Sequence, residues 1–145
     1  MKVFTIGFTK KPAEQFFGKL HRPGLHRVVD VRLNNLSQLA GFAKKDDLRF
    51  FVKAICGIEY VQVPELAPTQ EMLDQYRKAK RGWEDYERRF LALMQARRVE
   101  DSVPREVLDG GCLLCSEDRP DHCHRRLVAE YLRDQWGDVE IEHIL

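Results

Sequence analysis

Five short apolar runs, separated by stretches with helical periodicity, constrain this chain more than any other feature. Val3-Phe4-Thr5-Ile6 is stopped by Gly7, and Arg27-Val28-Val29-Asp30-Val31-Arg32 has an apolar centre and charged ends. Ile58 to Val63 ends at Pro64-Glu65, Cys112-Leu113-Leu114-Cys115 follows the turn Asp109-Gly110-Gly111, and Val139 to Ile144 alternates. Each reads as a strand. Phe16, Phe17 and Leu20 repeat at helical spacing behind Pro12, and Leu48, Phe51, Val52 and Ile55 do so behind a cap at Asp46 or Asp47. Thr69 to Arg98 reads as helix with a weak point at Gly82, its second half marked by Trp83, Tyr86, Phe90 and Leu93. A last helix runs from Cys123 to about Trp136, with Leu127, Val128, Tyr131 and Leu132 inward. Strands alternating with helices predict an α/β fold. The expectation is a single compact domain over residues 1–145, with a mostly parallel central sheet of about five strands and helices on both faces.

The 145 residues suffice for one domain with a real core. A hydrophobic fraction of 43% against 32% charged residues excludes a disordered chain. The net charge of +1 supplies no global field to draw in nucleic acid or a membrane. Local basic clusters exist in Arg77-Lys78-Ala79-Lys80-Arg81 and Arg97-Arg98, so a nucleic-acid partner is compatible without being required. No signal peptide and no membrane-spanning run is apparent, and a cytoplasmic location is expected. Four cysteines in a chain of this size form no disulfide scaffold and read as thiols, metal ligands or core. The oligomeric state is not encoded in any pattern visible here.

In parallel sheets ligands bind beyond the carboxyl ends of the strands. Here those ends carry Thr9 and Lys10, Asp30 to Arg32, Glu65, and Cys115 to Glu117. The polar loop from Leu33 to Lys45, with Asn34, Asn35, Ser37 and Gly41, is long enough to be functional. The densest motif is Cys115-Ser116-Glu117-Asp118-Arg119-Pro120-Asp121-His122-Cys123-His124-Arg125. It reads as a strand end, a polar loop and a helix start, with Asp121 as N-cap. Cys123 and His124 then fall in the first turn, where backbone N–H groups favour anions and lower a thiol pKa. Arg125 adds a cation suited to phosphate or carboxylate.

These residues divide into roles. Asp30, Glu117, Cys115 and His124 are the catalytic candidates: carboxylates for acid–base work with Glu65 in reserve, a thiol nucleophile, and an imidazole that shuttles protons near neutral pH. Thr9, Arg32, Glu65, Cys123 and Arg125 are the substrate-binding candidates. A simple Asp30–Arg32 ion pair at the strand end is the alternative reading of that pair. No metal and no cofactor is assigned, because Cys112 and Cys115 are three apart on a strand and face opposite sides. A reduced set of Cys115, Cys123 and His124, with Glu117, remains as a metal or redox alternative. Cys112 and Cys56 read as buried apolar side chains, and His143 as structural. Trp83 and Tyr86 have the chemistry to stack bases and equally the spacing of core residues.

Thr5-Ile6-Gly7, Asp30-Val31-Arg32, Pro64-Glu65-Leu66, Leu113-Leu114-Cys115-Ser116-Glu117 and Cys123-His124-Arg125, in this order, resemble the domain-of-unknown-function 488 family. Many members have His-Ser after the opening Ile-Gly, where this chain has Phe8-Thr9. The resemblance implies a compact α/β fold with a motif-bearing rim and supplies no activity. The order of an Asp-x-Arg strand end, a later strand-end Cys and a helix also resembles the layout of a rhodanese, with an acidic, proline-containing loop in place of a short closed one. The expectation from the residues is an enzyme acting on a nucleotide or another phosphorylated or glycosidic small molecule, that is, an anionic partner. A nucleic-acid-binding module on the same rim and a Cys/His metal or redox module are the alternatives.

Overall fold

The computed structural model describes residues 1–36, 40–79 and 82–145. Ser37 of the long polar loop, and Lys80 and Arg81 of the basic stretch, lie outside the described residues. The five strands are β1 (Lys2–Gly7), β2 (Arg27–Asp30), β3 (Glu59–Gln62), β4 (Gly111–Cys115) and β5 (Glu140–His143). All neighbouring pairs are parallel, in the order β3-β2-β4-β1-β5. β4 is therefore central, and its five residues are all buried. A strand covered on both faces needs a continuous apolar run, which Cys112-Leu113-Leu114-Cys115 supplies.

Period-two alternation sorts the strand residues between two cores. Phe4, Ile6, Val28, Cys112 and Leu114 pack with Phe16, Phe17 and Leu20, and with Leu48 and Val52. These partners come from α1 (Ala13–Lys19) and from α2 (Lys45–Phe51), which continues as a wider π-type turn through Cys56. On the other face Val3, Val29, Val31 and Leu113 pack under three helices: α3 (Gln70–Arg77), α4 (Trp83–Arg97) and α7 (His124–Trp136). Two short helices, α5 (Val99–Ser102) and α6 (Arg105–Leu108), bridge from α4 to β4.

Three local expectations need correction. The helix expected over Thr69–Arg98 is two helices: Thr69 caps α3 by accepting a hydrogen bond from the Met72 N–H, and α4 starts after Gly82. Ile55 is 48% exposed rather than inward, because the wider turn after Phe51 rotates it off the apolar stripe. Neither Asp46 nor Asp47 caps α2; both lie inside its first turn, where their charge complements the helix dipole.

Register aligns the carboxyl ends of the inner strands. Gly7 pairs with Cys115, Asp30 with Leu114, and Asp30 with Gln62. The loop leaving Cys115 passes directly over Gly7, whose missing side chain makes room for it. A Cβ there would lie 1.6 Å from the Glu117 carbonyl oxygen. The Thr9 N–H and hydroxyl both donate to the Ser116 carbonyl, at 3.1 and 2.7 Å, and the buried Lys11 ammonium pairs with Asp118 at 2.7 Å. The loop between β4 and α7 is thus tied to the segment following β1.

Candidate functional site

The strand-end rim holds a cavity of about 450 Å³. Its floor is formed by Cys115 from the end of β4, Cys123 from the N-cap of α7, and His124 from that helix's first residue. Their ligating atoms lie within 4.8 Å of one another. Cys115 and Val31 share the α4/α7 side of the sheet by alternation, and His124 bridges them. Its Nε2 lies 2.7 Å from the Val31 carbonyl oxygen and its Nδ1 lies 3.5 Å from Cys115 Sγ. A carbonyl only accepts, so Nε2 carries a proton and Nδ1 is directed at the thiols. Phe90 packs against the same imidazole, with ring centroids 5.5 Å apart.

The two thiols are shifted in opposite directions. The Cys115 thiol is held well below its ordinary range, because it accepts a hydrogen bond from Cys123 and lies beside His124 and the Arg125 guanidinium, against the opposing effect of burial. Cys123 is pushed up by burial and by the neighbouring Cys115 charge. Burial pulls His124 down, but the Cys115 charge and the hydrogen bonds to Cys115 and Val31 outweigh it, and the imidazole is raised. The lowering expected at Cys123 thus falls on Cys115. Cys112 is fully buried on the opposite face, and burial drives its thiol far up.

Aromatic residues wall the cavity. Trp83 and His122 stack with centroids 4.9 Å apart and planes 16° from parallel, and Tyr76 and Tyr86 pack against Trp83 at 5.7 and 5.1 Å. Phe8, Arg32, Arg77 and Glu117 also line it, with Thr9 and Ser116. Tyr76 and His122 had no role in the sequence reading. The available signal was position: Tyr76 directly precedes the basic stretch and His122 lies inside the Cys motif.

Several expected site residues serve other ends. Asp30 is 0% exposed and faces the α1/α2 core beside Leu114, across the sheet from Cys115. It accepts from the Arg32 backbone N–H at 3.1 Å, from Arg32 Nε and Nη2 at 2.9 Å each, and from the Tyr60 hydroxyl. The Asp30–Arg32 ion pair is therefore present in the structure, and the carboxylate expected as a base or hydroxyl acceptor is buried on the side of the sheet away from Cys115. Burial and the hydrogen bond to Asp30 push the Tyr60 phenol far up, which keeps it a donor. Arg32 still lines the cavity and lies over the Phe8 ring at 5.4 Å, its charge matched by Asp30.

Arg125 does not reach out as an anion clamp. It is 0% exposed and donates to the Glu117 and Asp118 carbonyls and, at 3.4 Å, to Cys123 Sγ. A long side chain in the first turn of a helix points back past the N-terminus, and here that direction leads into the loop rather than to solvent. Asp121 is not the N-cap; the cap is Cys123, whose side chain makes no capping hydrogen bond to the helix, and its N–H donates to Pro120 O at 3.2 Å. Glu65 is exposed on the turn Pro64–Leu66 and does not line the cavity. His143 hydrogen-bonds Thr5 Oγ1 at 2.7 Å on the edge strand.

The family model of the domain of unknown function DUF488 matches residues 12–132. The chain belongs to that family. No curated protein and no solved structure matches it. Among the described residues, no helix is long and apolar enough to cross a membrane.

Proposed function

We propose that the protein is an enzyme acting on a small molecule with a planar ring, a nucleobase, nucleoside or nucleotide. In this reading the ring lies against Trp83, His122 and Tyr76, and the reacting atom meets the Cys115–Cys123–His124 floor. One observation carries the reading: two thiols and an imidazole are buried together at the bottom of an aromatic-walled cavity of about 450 Å³. That volume is in the range of small-molecule sites. Arg77 on the rim supplies the cation for an anionic substituent, the role first expected of Arg125. Glu117, exposed at the same rim, is the carboxylate placed for proton transfer.

Tryptophan fluorescence reports on the site because Trp83 lines it, while Trp136 donates its ring N–H to the Glu100 carbonyl elsewhere. Titration with adenosine, cytidine and their monophosphates is expected to quench it saturably, with modest salt dependence. Stacking contributes about 1–3 kcal/mol per base, so Trp83→Ala should weaken binding roughly 5- to 150-fold. Cys115→Ala should retain binding and lose turnover. If no nucleobase-containing ligand saturates, the reading fails. If short single strands alone bind, with a steep salt slope, the nucleic-acid module replaces it.

A further inference from the structure

We propose that Cys115, Cys123 and His124 bind a divalent transition metal, zinc by their chemistry, in a three-ligand site whose remaining coordination position opens into the cavity. The inference rests on reading that cavity as the active site, and it names what the floor holds.

Three independent features of the cluster match a metal centre. The first is spacing. Zinc lies about 2.3 Å from sulfur and about 2.0–2.1 Å from nitrogen in tetrahedral sites. Those bonds place a sulfur and a nitrogen ligand about 3.5–3.6 Å apart by the tetrahedral angle. Cys115 Sγ and His124 Nδ1 are 3.5 Å apart. The second is the orientation of the imidazole. Ligating histidines donate their other ring N–H to a carbonyl or carboxylate, which fixes the tautomer and the ring plane. His124 Nε2 does this to the Val31 carbonyl at 2.7 Å, turning Nδ1 toward Cys115 Sγ, with the Cys123 sulfur within 4.8 Å. The third is support of the sulfur. Arg125 Nη1 lies 3.4 Å from Cys123 Sγ while its other contacts anchor the loop, a hydrogen bond suited to a thiolate ligand.

The donor set also selects the metal. Two thiolates and a neutral imidazole balance a divalent charge. Their softness favours zinc over magnesium or calcium, which prefer oxygen ligands. Structural zinc sites are closed by four protein ligands, whereas catalytic ones keep three and leave a position for water or substrate. Among the described residues the group is three, and all three line the cavity. Cys112, at the other end of the Cys-x-x-Cys spacing, is in the opposite core and takes no part.

The test uses the full chain, expressed without a polyhistidine tag. It is stripped with a chelator under reducing conditions and reloaded with zinc or cobalt(II). The expected result is one tightly held ion per chain. With cobalt, the near-ultraviolet thiolate charge-transfer band and intense visible bands of a tetrahedral site should appear. Cys115→Ser and Cys123→Ser, checked by circular dichroism for folding, should lose stoichiometric binding, while Cys56→Ser keeps it. If the two serine variants do not fold, the cobalt spectrum of the native chain decides alone. A folded native chain that takes up no stoichiometric ion, or that binds cobalt without a thiolate band, overturns the proposal. So does undiminished binding by the folded serine variants. Adenosine titration of the stripped chain separates this from the reading it rests on. Saturable quenching with no metal uptake removes the metal and leaves the cavity reading. Metal uptake with no ring ligand does the reverse.

Discussion

Replacing Asp30 tests whether the strand-end carboxylate holds the fold or performs chemistry. Asp30 is wholly buried and accepts four hydrogen bonds, three from Arg32 and one from Tyr60. Asp30→Ala leaves a guanidinium that is 5% exposed without its counter-charge, and a phenol whose proton loses its acceptor. Breaking a buried pair in this way costs about 3–5 kcal/mol. A domain of this size has roughly 5–15 kcal/mol in total, so the variant should lose from about a fifth of its stability to nearly all of it. Its thermal midpoint should fall by about 10 °C. Asp30→Asn is expected to do nearly the same, because the amide presents donors to donors. Asp30→Ala with Arg32→Met should recover much of the loss, since the second change removes the stranded charge. Urea unfolding followed by circular dichroism measures all four proteins. A folded Asp30→Ala variant within about 1 kcal/mol of the native chain that nonetheless loses catalysis would refute the structural assignment and restore Asp30 as a catalytic base.

Gly7→Ala should cost about 3 kcal/mol or more, since its Cβ meets the Glu117 carbonyl oxygen at 1.6 Å and backbone rather than a flexible side chain must yield; denaturant midpoints check this. In chelator-treated protein, Cys115 should be alkylated by iodoacetamide at a rate that levels off below pH 9.0, the ordinary thiol value, because its lowered pKa leaves it thiolate there. Peptide mapping across pH measures that rate, and a rate still rising through pH 9.0 contradicts the assignment. Cys112→Ser, which places a hydroxyl in a fully apolar core, should destabilise by about 1–3 kcal/mol and leave nucleoside binding to the folded protein unchanged, as thermal unfolding and fluorescence titration will show.

The alternation of apolar runs with helical stretches was enough to read the fold, because each strand is short and closed by a clear stop. Strand order was not readable: β4, the fourth run, inserts between the first two, and no local pattern announces a crossover. The floor of the site was half legible. Cys115, Cys123 and His124 stand out because thiols and an imidazole crowd one strand–loop–helix unit. Asp30 and Arg125 misled for a common reason. A charged residue at a strand end or helix start looks like a ligand contact until its direction is known. Alternation turns Asp30 to the far side of the sheet, and the backward tilt of helical side chains turns Arg125 into the loop. Of the cavity wall, Trp83 and Tyr86 were legible as stacking residues, whereas Tyr76 and His122 were not, because they meet Trp83 only once α3 and α4 are packed over the rim.

The place of β4 between β1 and β2 also bears on how the molecule is made. β1 and β2 are not paired with each other. While the chain grows on the ribosome, residues 1–110 carry two strands whose inner edges wait for a partner not yet synthesised. Those edges are open to pairing with other chains during that interval. The sheet then closes through contacts between residues more than a hundred positions apart, as Gly7 with Cys115 shows, and such non-local closure is slow. The strand that joins β1 to β2 is the one that delivers Cys115, so the reactive thiol reaches its setting in the same step that links the two halves of the sheet.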